Sequence, residues 1–260
     1  MDNIPGGMTV NGRNVIVTGA GNGLGLAIAK RFVELGARTL LVDIDGIVSS
    51  RVNSAEFPAN AAFALVKDLA DDDAADVVFD SARSQMGNVD TLINNAAWSF
   101  HKPMLDVTAD EFDRLIAINQ RAPYFLAKRF LREISSASQP PTDPAIVNIG
   151  SVNALSGNQD LVAYAGTKGA LVAMTRAMAV EMRNVKVRVN CISPGAVRTL
   201  ATQRLLDAGV IVPEKILSDL LIMRFGTCEE VAELVVYLCS THASYLTGVN
   251  WIIDGGYMAH

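Results

Sequence analysis

Short apolar runs alternate with longer segments of helical periodicity along almost the whole chain. Runs such as 14–18 and 145–149 show no alternation of polar and apolar residues, which is typical of parallel strands buried on both faces. The longer segments place apolar residues three and four positions apart, as helices do. This order predicts an α/β fold: a doubly wound, Rossmann-type, mostly parallel sheet with helices on both faces.

The pattern also predicts where each element begins and ends. Strands are expected at 14–18, 39–42, 63–66, 89–93, 145–149, 187–192 and 249–253, and helices at 24–35, 74–86, 109–131, 162–182 and 229–238. No repeat or internal linker divides the sequence, so we expect one domain over residues 1–260. The polar segment 135–144 is expected to be an exposed loop before the fifth strand.

Composition excludes several classes of function. Hydrophobic residues make up 50% of the chain, enough for a large core, and a net charge of −5 gives no basic surface for nucleic acid. The three cysteines and three histidines lack the spacings of disulfide frameworks and metal sites. Residues 1–10 show no signal segment and no apolar run reaches the ~18 residues of a membrane span, which favours a cytoplasmic protein.

A glycine-rich loop, TGAGNGLG at 18–25, joins the first predicted strand to the first helix. Glycines at 19, 23 and 25 let the backbone approach a pyrophosphate closely, and a helix N-terminus supplies unpaired N–H groups. The same glycines also suit a tight turn without a ligand. Asp43 ends the second predicted strand, where an acid can bind ribose hydroxyls or cap the following turn.

Tyr164 and Lys168 lie four residues apart in a predicted helix and therefore share one face. An ammonium beside a phenol favours the phenolate and brings its pKa toward working pH, as general acid–base catalysis requires. The pair alone fits equally well a surface lysine beside a half-buried tyrosine. Ser151, thirteen residues upstream, and the glycine-rich loop favour the catalytic interpretation.

With these motifs in order, the chain resembles the short-chain dehydrogenase/reductase family, in its short single-domain branch. The resemblance extends from Asn14 to Gly256. Ala97 departs from the glycine usual in this family, and its methyl group is expected to tighten the floor under a nicotinamide or to shift the fourth strand. The motifs are TGAGNGLG, Asp43, Asp68-Leu69, NNAA (94–97), Asn119, Ser151, YAGTK (164–168), PGAVRT (194–199) and DGG (254–256).

The resemblance implies a nicotinamide dinucleotide cofactor. We predict NAD rather than NADP, because Asp43 would repel a 2′-phosphate and neither Asn22 nor Ile44 is basic. Asp68 and the backbone of Leu69 would hold the adenine. The implied cofactor-binding residues are Gly19, Asn22, Gly23, Leu24, Gly25, Asp43, Ile44, Asp68, Leu69, Asn95, Ala96, Ala97, Tyr164, Lys168, Pro194, Gly195, Val197 and Thr199.

The resemblance also implies four catalytic residues and a metal-free hydride transfer between the nicotinamide and a secondary alcohol or ketone. Ser151 would orient the substrate oxygen, and Tyr164 would donate or accept the proton. Lys168 would lower the pKa of Tyr164 and hold the nicotinamide ribose. Asn119 would open its helix, bind a water and connect Lys168 to solvent.

Substrate recognition is less constrained by the sequence. Residues 199–222 are expected to form a lid, whose apolar side chains fit either a greasy pocket or packing of the lid helices onto the body. Sugars, polyols, steroids, hydroxy acids and acyl thioesters all satisfy these constraints. Candidate wall residues are Trp98, Phe100, His101, Val152, Asn153 and Gln159.

Two other functions were considered. A catalytically silent NAD-binding regulatory or scaffolding protein would have the same fold, but the intact set Asn119, Ser151, Tyr164 and Lys168 argues against it. An epimerase or dehydratase of the extended branch needs a separate substrate domain, and too few residues follow Thr199 to build one. The expected partner is a small alcohol or carbonyl compound, with no role for nucleic acid or membrane.

The predicted helices 109–131 and 162–182 carry more apolar residues than one buried face requires. In proteins that the chain resembles, these two helices meet their symmetry mates in a four-helix bundle, and the C-terminal end, here 254–260, builds a second interface. We therefore expect a homotetramer with two-fold axes.

Cofactor choice can be tested at the end of the second strand. NAD should bind more tightly than NADP, and the double change Asp43→Ser with Ile44→Arg should shift the preference toward NADP, because it removes a repulsion and adds a cation. Calorimetric titration with both cofactors measures this. Equal affinities in the unmodified protein would contradict the assignment of Asp43.

Overall fold

Seven strands form one sheet at the centre of the protein, whose computed structural model describes residues 9–259. Their spatial order is β3-β2-β1-β4-β5-β6-β7, and every neighbouring pair is parallel. The predicted doubly wound fold is therefore confirmed. The strands are β1 (Asn14–Thr18), β2 (Arg38–Asp43), β3 (Ala62–Val66), β4 (Thr91–Asn94), β5 (Ala145–Ile149), β6 (Arg188–Pro194) and β7 (Asn250–Ile253).

Helices cover both faces of the sheet because alternate strand residues point to opposite sides. Val15 and Val17 of β1 belong to one apolar core, with α1 and α9, and Ile16 belongs to the other, with α3, α5 and α6. The helices are α1 (Gly23–Glu34), α2 (Ile47–Val52), α3 (Ala74–Met86), α4 (Ala109–Ile116), α5 (Ala122–Ser136), α6 (Val162–Glu181), α7 (Leu200–Asp207), α8 (Pro213–Ser218) and α9 (Cys228–Cys239).

The predicted helix 109–131 differs from the structure in one respect that bears on function. It is interrupted after α4 by a π-helical turn, Ala117–Arg121, and continues as α5 to Ser136. Such turns interrupt the regular hydrogen-bond ladder and often lie at functional sites. The turn contains Asn119, the residue for which the sequence suggested an opened helix.

The predicted loop 135–144 begins after Ser136 and carries one structural side chain. The carboxylate of Asp143 accepts hydrogen bonds from Arg188 at 2.6 and 2.9 Å, and it pairs with Arg13 at 3.4 Å. Both arginines are buried, so this carboxylate compensates charge inside the protein at the N-terminal end of the sheet. The loop is therefore more than a spacer.

Several sequence expectations concern chain ends and absent features. Residues 1–8 and 260 fall outside the described part, and with them most of the segment inspected for a signal and the last residue of the predicted second interface. Within residues 9–259, no helix is long and apolar enough to cross a membrane, and no cluster of His, Cys, Asp and Glu is placed to hold a metal ion. Cys191, Cys228 and Cys239 are buried and unpaired.

Candidate functional site

A cavity of about 980 Å³ opens at the carboxyl ends of the strands, around the point where β1 and β4 lie side by side. The chain runs from β1 outward to β3 and then returns to β4 on the other side, so the loops after β1 and β4 diverge and leave a crevice. All eighteen residues implied in cofactor binding line this cavity, as do Ser151, Trp98, His101, Asn153 and Gln159. Two predicted site residues, Asn119 and Phe100, do not line it.

The loops after β1 and β4 are held together by Thr18 and Asn95. The Asn95 side-chain amide donates to the carbonyl oxygens of Thr18 at 2.8 Å and Gly19 at 3.1 Å. The Thr18 hydroxyl in turn accepts hydrogen bonds from the backbone N–H groups of Asn95 and Ala96, both at 3.0 Å. These bonds fix the floor of the cavity.

The glycines of the loop are required by close packing and by backbone conformation. A Cβ at Gly25 would lie 2.1 Å from the carbonyl oxygen of Gly19, so close packing excludes any side chain there. Gly23 has φ +53°, and the nearest atom to a Cβ at this position would be Thr199 Cβ, 3.5 Å away, across the cavity wall. Helix α1 begins here without a side-chain cap or an acidic residue in its first turn. Free N–H groups in such a cradle fit a pyrophosphate.

Asp43 lines the cavity and also holds the turn beside it. Its carboxylate accepts hydrogen bonds from the N–H groups of Gly21 at 2.8 Å and Asp45 at 3.0 Å. Lys67, which no motif in the sequence marks, also lines the cavity and follows directly after β3. It pairs with Asp71 at 2.9 Å and Asp73 at 2.6 Å, and these carboxylates raise its pKa.

Asp68 is already paired in the protein itself. It accepts hydrogen bonds from the N–H of Ala70 at 2.9 Å and from Arg114 at 2.9 Å. Partial burial disfavours the carboxylate, but these two hydrogen bonds outweigh it and lower the pKa of Asp68. Arg114 also lines the cavity, and no motif in the sequence marks it, because it reaches Asp68 from α4.

Ser151 and Tyr164 meet inside the cavity. Ser151 follows β5 and caps a short helical turn, its hydroxyl accepting a hydrogen bond from the N–H of Asn153 at 3.2 Å. Tyr164 lies in the first turn of α6, and its hydroxyl is hydrogen-bonded to the Ser151 side chain. Two hydroxyl groups are thereby brought to one place, where a substrate oxygen can contact both.

Lys168 lies beneath Tyr164, and only 2% of its surface is exposed. Its ammonium donates to the carbonyl oxygen of Ile149 at 2.7 Å and lies 5.7 Å from the centre of the Tyr164 ring. Burial lowers the pKa of Lys168 to about 8, whereas burial raises the pKa of Tyr164 to about 12 despite the hydrogen bond with Ser151. In the protein alone, desolvation therefore outweighs the expected effect of the lysine on the phenol.

Asn119 is fully buried behind the cavity wall. Its side chain accepts from the Trp98 N–H and donates to the Trp98 carbonyl oxygen, both at 2.8 Å, and it also donates to the Thr167 hydroxyl at 3.2 Å. This explains an asparagine inside a helix: it connects the loop after β4 to α6, next to Lys168. The π-helical turn directs it there.

The lid expected at residues 199–222 contains α7 and α8. The Thr199 hydroxyl caps α7 by accepting from the N–H of Thr202 at 3.0 Å, so the base of the lid is fixed beside Gly23. Neither helix contains a buried residue, which favours the greasy-pocket interpretation over packing onto the body. Apolar lid side chains that line the cavity are Leu200, Ala201, Leu205, Val210, Ile211, Val212, Ile216 and Leu220.

The remaining wall residues divide between two cavities. Val152 lines the main cavity as expected, but Phe100 does not. Phe100 packs edge-on against Trp98, with ring centres 5.2 Å apart, and lines a second cavity between α4 and α6. Ala97 is exposed to the main cavity, is not among the residues with positive φ, and leaves β4 in parallel register with β5. The expected effect of its methyl group, on the nicotinamide floor or on the fourth strand, stays a prediction.

The lowered pKa of Lys168 predicts an unusual pH dependence of stability. Between pH 8 and 10 the unfolded chain binds more protons at this residue than the folded protein does, so stability rises with pH. The unfolding free energy of the parent, relative to Lys168→Met, should increase by about 2 kcal/mol over this range. Urea titrations at both pH values measure it. A constant difference would show that the pKa of Lys168 is not shifted on folding, and a falling one that it is raised.

Comparison with known proteins places the chain among oxidoreductases. A family model described as enoyl-(acyl carrier protein) reductase matches residues 19–258. A 2-(S)-hydroxypropyl-CoM dehydrogenase of Xanthobacter autotrophicus is 34% identical, covering 94% of this chain and 96% of its own. A 3-oxoacyl-[acyl-carrier-protein] reductase of Buchnera aphidicola is 31% identical, and the match covers 96% of this chain and 98% of that protein. The solved structure of a 3-ketoacyl-(acyl-carrier-protein) reductase from Brucella melitensis, in complex with NADH, matches with a TM-score of 0.85 and 30% sequence identity. The match covers 96% of this chain and 99% of that chain. The chain therefore belongs to the short-chain dehydrogenase/reductase family of oxidoreductases.

Proposed function

We propose that this protein is an NAD-dependent dehydrogenase that interconverts a secondary alcohol and a ketone. The observation that carries the proposal is the meeting of Ser151, Tyr164 and Lys168 in the cavity that also contains the glycine cradle and Asp43. The bound nicotinamide would supply the hydride chemistry. Orientation of the substrate and transfer of the proton are assigned to side chains of this protein.

The hydroxyl groups of Ser151 and Tyr164 orient the substrate oxygen and transfer its proton. Ser151 donates to the substrate oxygen, and Tyr164 takes the proton of the alcohol during oxidation or returns it to the carbonyl during reduction. Lys168 is mostly protonated at neutral pH, because its pKa is about 8. A cation held under the ring by the Ile149 carbonyl oxygen is placed to favour the phenolate as it forms. Asn119 is assigned the role of connecting Lys168 to solvent.

The preference for NAD over NADP is supported by the charges near Asp43. Its carboxylate is fixed by two backbone N–H groups, so it stays in place against a 2′-phosphate. Two nearby cations are already paired: Lys67 with two aspartates, and Arg51, which donates to Asn22, with Glu56 at 3.3 Å. Residues 199–222 are assigned as the lid over the substrate. The location is proposed to be the reducing cytoplasm, because the three cysteines are buried and form no disulfide.

The acid–base assignment is tested by Tyr164→Phe. This change removes the hydroxyl and keeps the ring, so fold and cofactor binding should be nearly unchanged while turnover falls at least ~100-fold. Reduced-nicotinamide absorbance with a panel of alcohols gives the rates. Turnover within a few-fold of the parent would reject Tyr164 as the proton carrier. A parent protein that binds NAD but oxidises nothing in a broad panel would favour the silent regulatory alternative.

We also propose a homotetramer. Large apolar side chains stay exposed on the helices expected to form the four-helix bundle: Phe112, Tyr124 and Phe125 are each 44–50% exposed and Val180 is 70% exposed. Burying them against a second copy removes this apolar surface from water. Light scattering at micromolar concentration should give the mass of four chains. A monodisperse monomer would show that these faces need no partner.

A further inference from the structure

Two side-chain hydrogen bonds join strand β5 to helix α6, and they come from consecutive residues of the strand. The Asn148 amide donates to the Thr175 hydroxyl at 2.9 Å, and the carbonyl oxygen of Ile149 accepts from the Lys168 ammonium at 2.7 Å. Lys168 and Thr175 are both buried and lie about two helical turns apart, so they share one face of α6. The strand therefore holds the helix at two points, and one of them is the ammonium proposed to act in catalysis.

The contact between Asn148 and Thr175 belongs to a longer chain of buried polar groups. Asn94 Nδ2 donates to Asn148 Oδ1 at 2.8 Å from the paired position on β4, and the Thr175 hydroxyl donates to the carbonyl oxygen of Leu171 at 2.9 Å. Asn94, Asn148 and Thr175 are each at most 2% exposed. Asn95 follows directly after Asn94 and holds the loop after β1, so the chain connects the floor of the cavity to α6.

Stability alone would not favour this polar chain inside the core. Its outer end, Asn94 Oδ1, is buried and has no hydrogen-bond partner within residues 9–259. An unpaired buried acceptor destabilises the folded state, whereas apolar side chains of the same shape avoid that cost. Hydrogen bonds, unlike apolar contacts, are restricted in both distance and direction. The chain therefore suits a role in placing α6 against the sheet.

The position of α6 decides how closely Lys168 approaches Tyr164. The ammonium lies 5.7 Å from the centre of the Tyr164 ring, and its attraction for a phenolate depends on their separation. Without the bond to Asn148, the ammonium would itself be the polar anchor of the helix on β5. The titratable group that acts on Lys168 from β6 is the Cys191 thiol, and burial raises the pKa of this thiol to about 11, so it stays uncharged at neutral pH.

We propose that Thr175 and Asn148 are positioning residues, whose hydrogen bond sets the place of α6 on β5 and thereby keeps the Lys168 ammonium under the Tyr164 ring. This inference rests on the proposed function and adds residues to it that no cofactor or substrate reaches, because neither of them lines the main cavity. Asn94 supports Asn148 from β4.

The experiment compares two substitutions of Thr175. Thr175→Val keeps the shape of the side chain and removes the hydroxyl, and Thr175→Ser keeps the hydroxyl. In alcohol oxidation, the pH at which kcat is half its maximum should rise by up to about one pH unit in Thr175→Val, the equivalent of one hydrogen bond, because the phenolate is less favoured. Thr175→Ser should keep the midpoint of the parent.

Thr39→Val is the matched control. Thr39 is also fully buried, in β2, and its hydroxyl has no hydrogen-bond partner in the described part of the chain. Its removal should leave the midpoint of kcat unchanged. Thr175→Ala leaves space in which a water can pair with the Asn148 amide, so it replaces Thr175→Val if that variant does not fold, and the same rise is expected.

A direct titration of Lys168 separates this inference from the proposed function. NMR of the lysine side chains, with the Lys168 signal identified by its loss in Lys168→Met, gives the pKa of Lys168 without turnover. In Thr175→Val this pKa should rise toward its ordinary value, because an ammonium held less firmly reaches water more easily. Thr175→Ser and Thr39→Val should leave it unchanged.

The outcomes are distinct. A raised pKa of Lys168 in Thr175→Val, with no oxidation of any alcohol by the parent, would reject the dehydrogenase and support the positioning of Lys168 by Thr175. A loss of stability in Thr175→Val that leaves both the pKa of Lys168 and the midpoint of kcat unchanged would show that the hydroxyl serves stability alone, and would overturn the inference. An equal change in Thr39→Val would overturn it as well.

Discussion

The hydrogen bonds between Thr18 and Asn95 are the interaction on which the rest of the site depends. They join the ends of β1 and β4 at the one place where the chain reverses its direction across the sheet. Because the strands are buried and parallel, they bring their carboxyl ends to one edge, and these bonds set how far the following loops can separate. The absence of a side chain at Gly25 follows from the same contact. The glycine-rich loop after β1, the floor of the cavity and the loop that contains Trp98 all begin at this junction.

Burial of the Tyr164 and Lys168 pair has opposite consequences for its two members. It disfavours both charged forms, raising the pKa of the phenol to about 12 and lowering that of the ammonium to about 8. A buried lysine with this pKa still carries its charge at neutral pH, and the Ile149 carbonyl oxygen holds it in place. An ammonium 5.7 Å from the ring centre is close enough to favour a phenolate if one forms at Tyr164.

The sequence predicted those parts of the structure that depend on local patterns. The limits of β1, β5 and α3 agree with prediction because buried strands and a capped helix are determined by short-range hydrophobic periodicity. Many of the residues predicted to bind the cofactor come directly after a strand, and all eighteen line the main cavity. Features that depend on long-range contacts were missed: Arg114 reaches Asp68 from α4, Asp143 compensates two arginines, and Tyr257 contacts Asn158. The effect of burial on Tyr164 was likewise invisible, since desolvation is a property of the packed fold.

The two halves of the cavity are built in different ways, and this difference accounts for what the motifs reveal. The half that is predicted to hold the cofactor lies on strand ends and buried side chains, where a changed residue meets backbone atoms at close range, as a Cβ at Gly19 or Gly25 would. The half that is predicted to hold the substrate consists of α7 and α8, which bury no residue, and of a loop joined to the C-terminal turn by polar side chains. Changes there cost little stability, because few packed contacts are lost. The proposed catalytic residues can therefore be kept while the substrate changes, because the groups that would distinguish substrates lie on the part of the cavity that tolerates substitution.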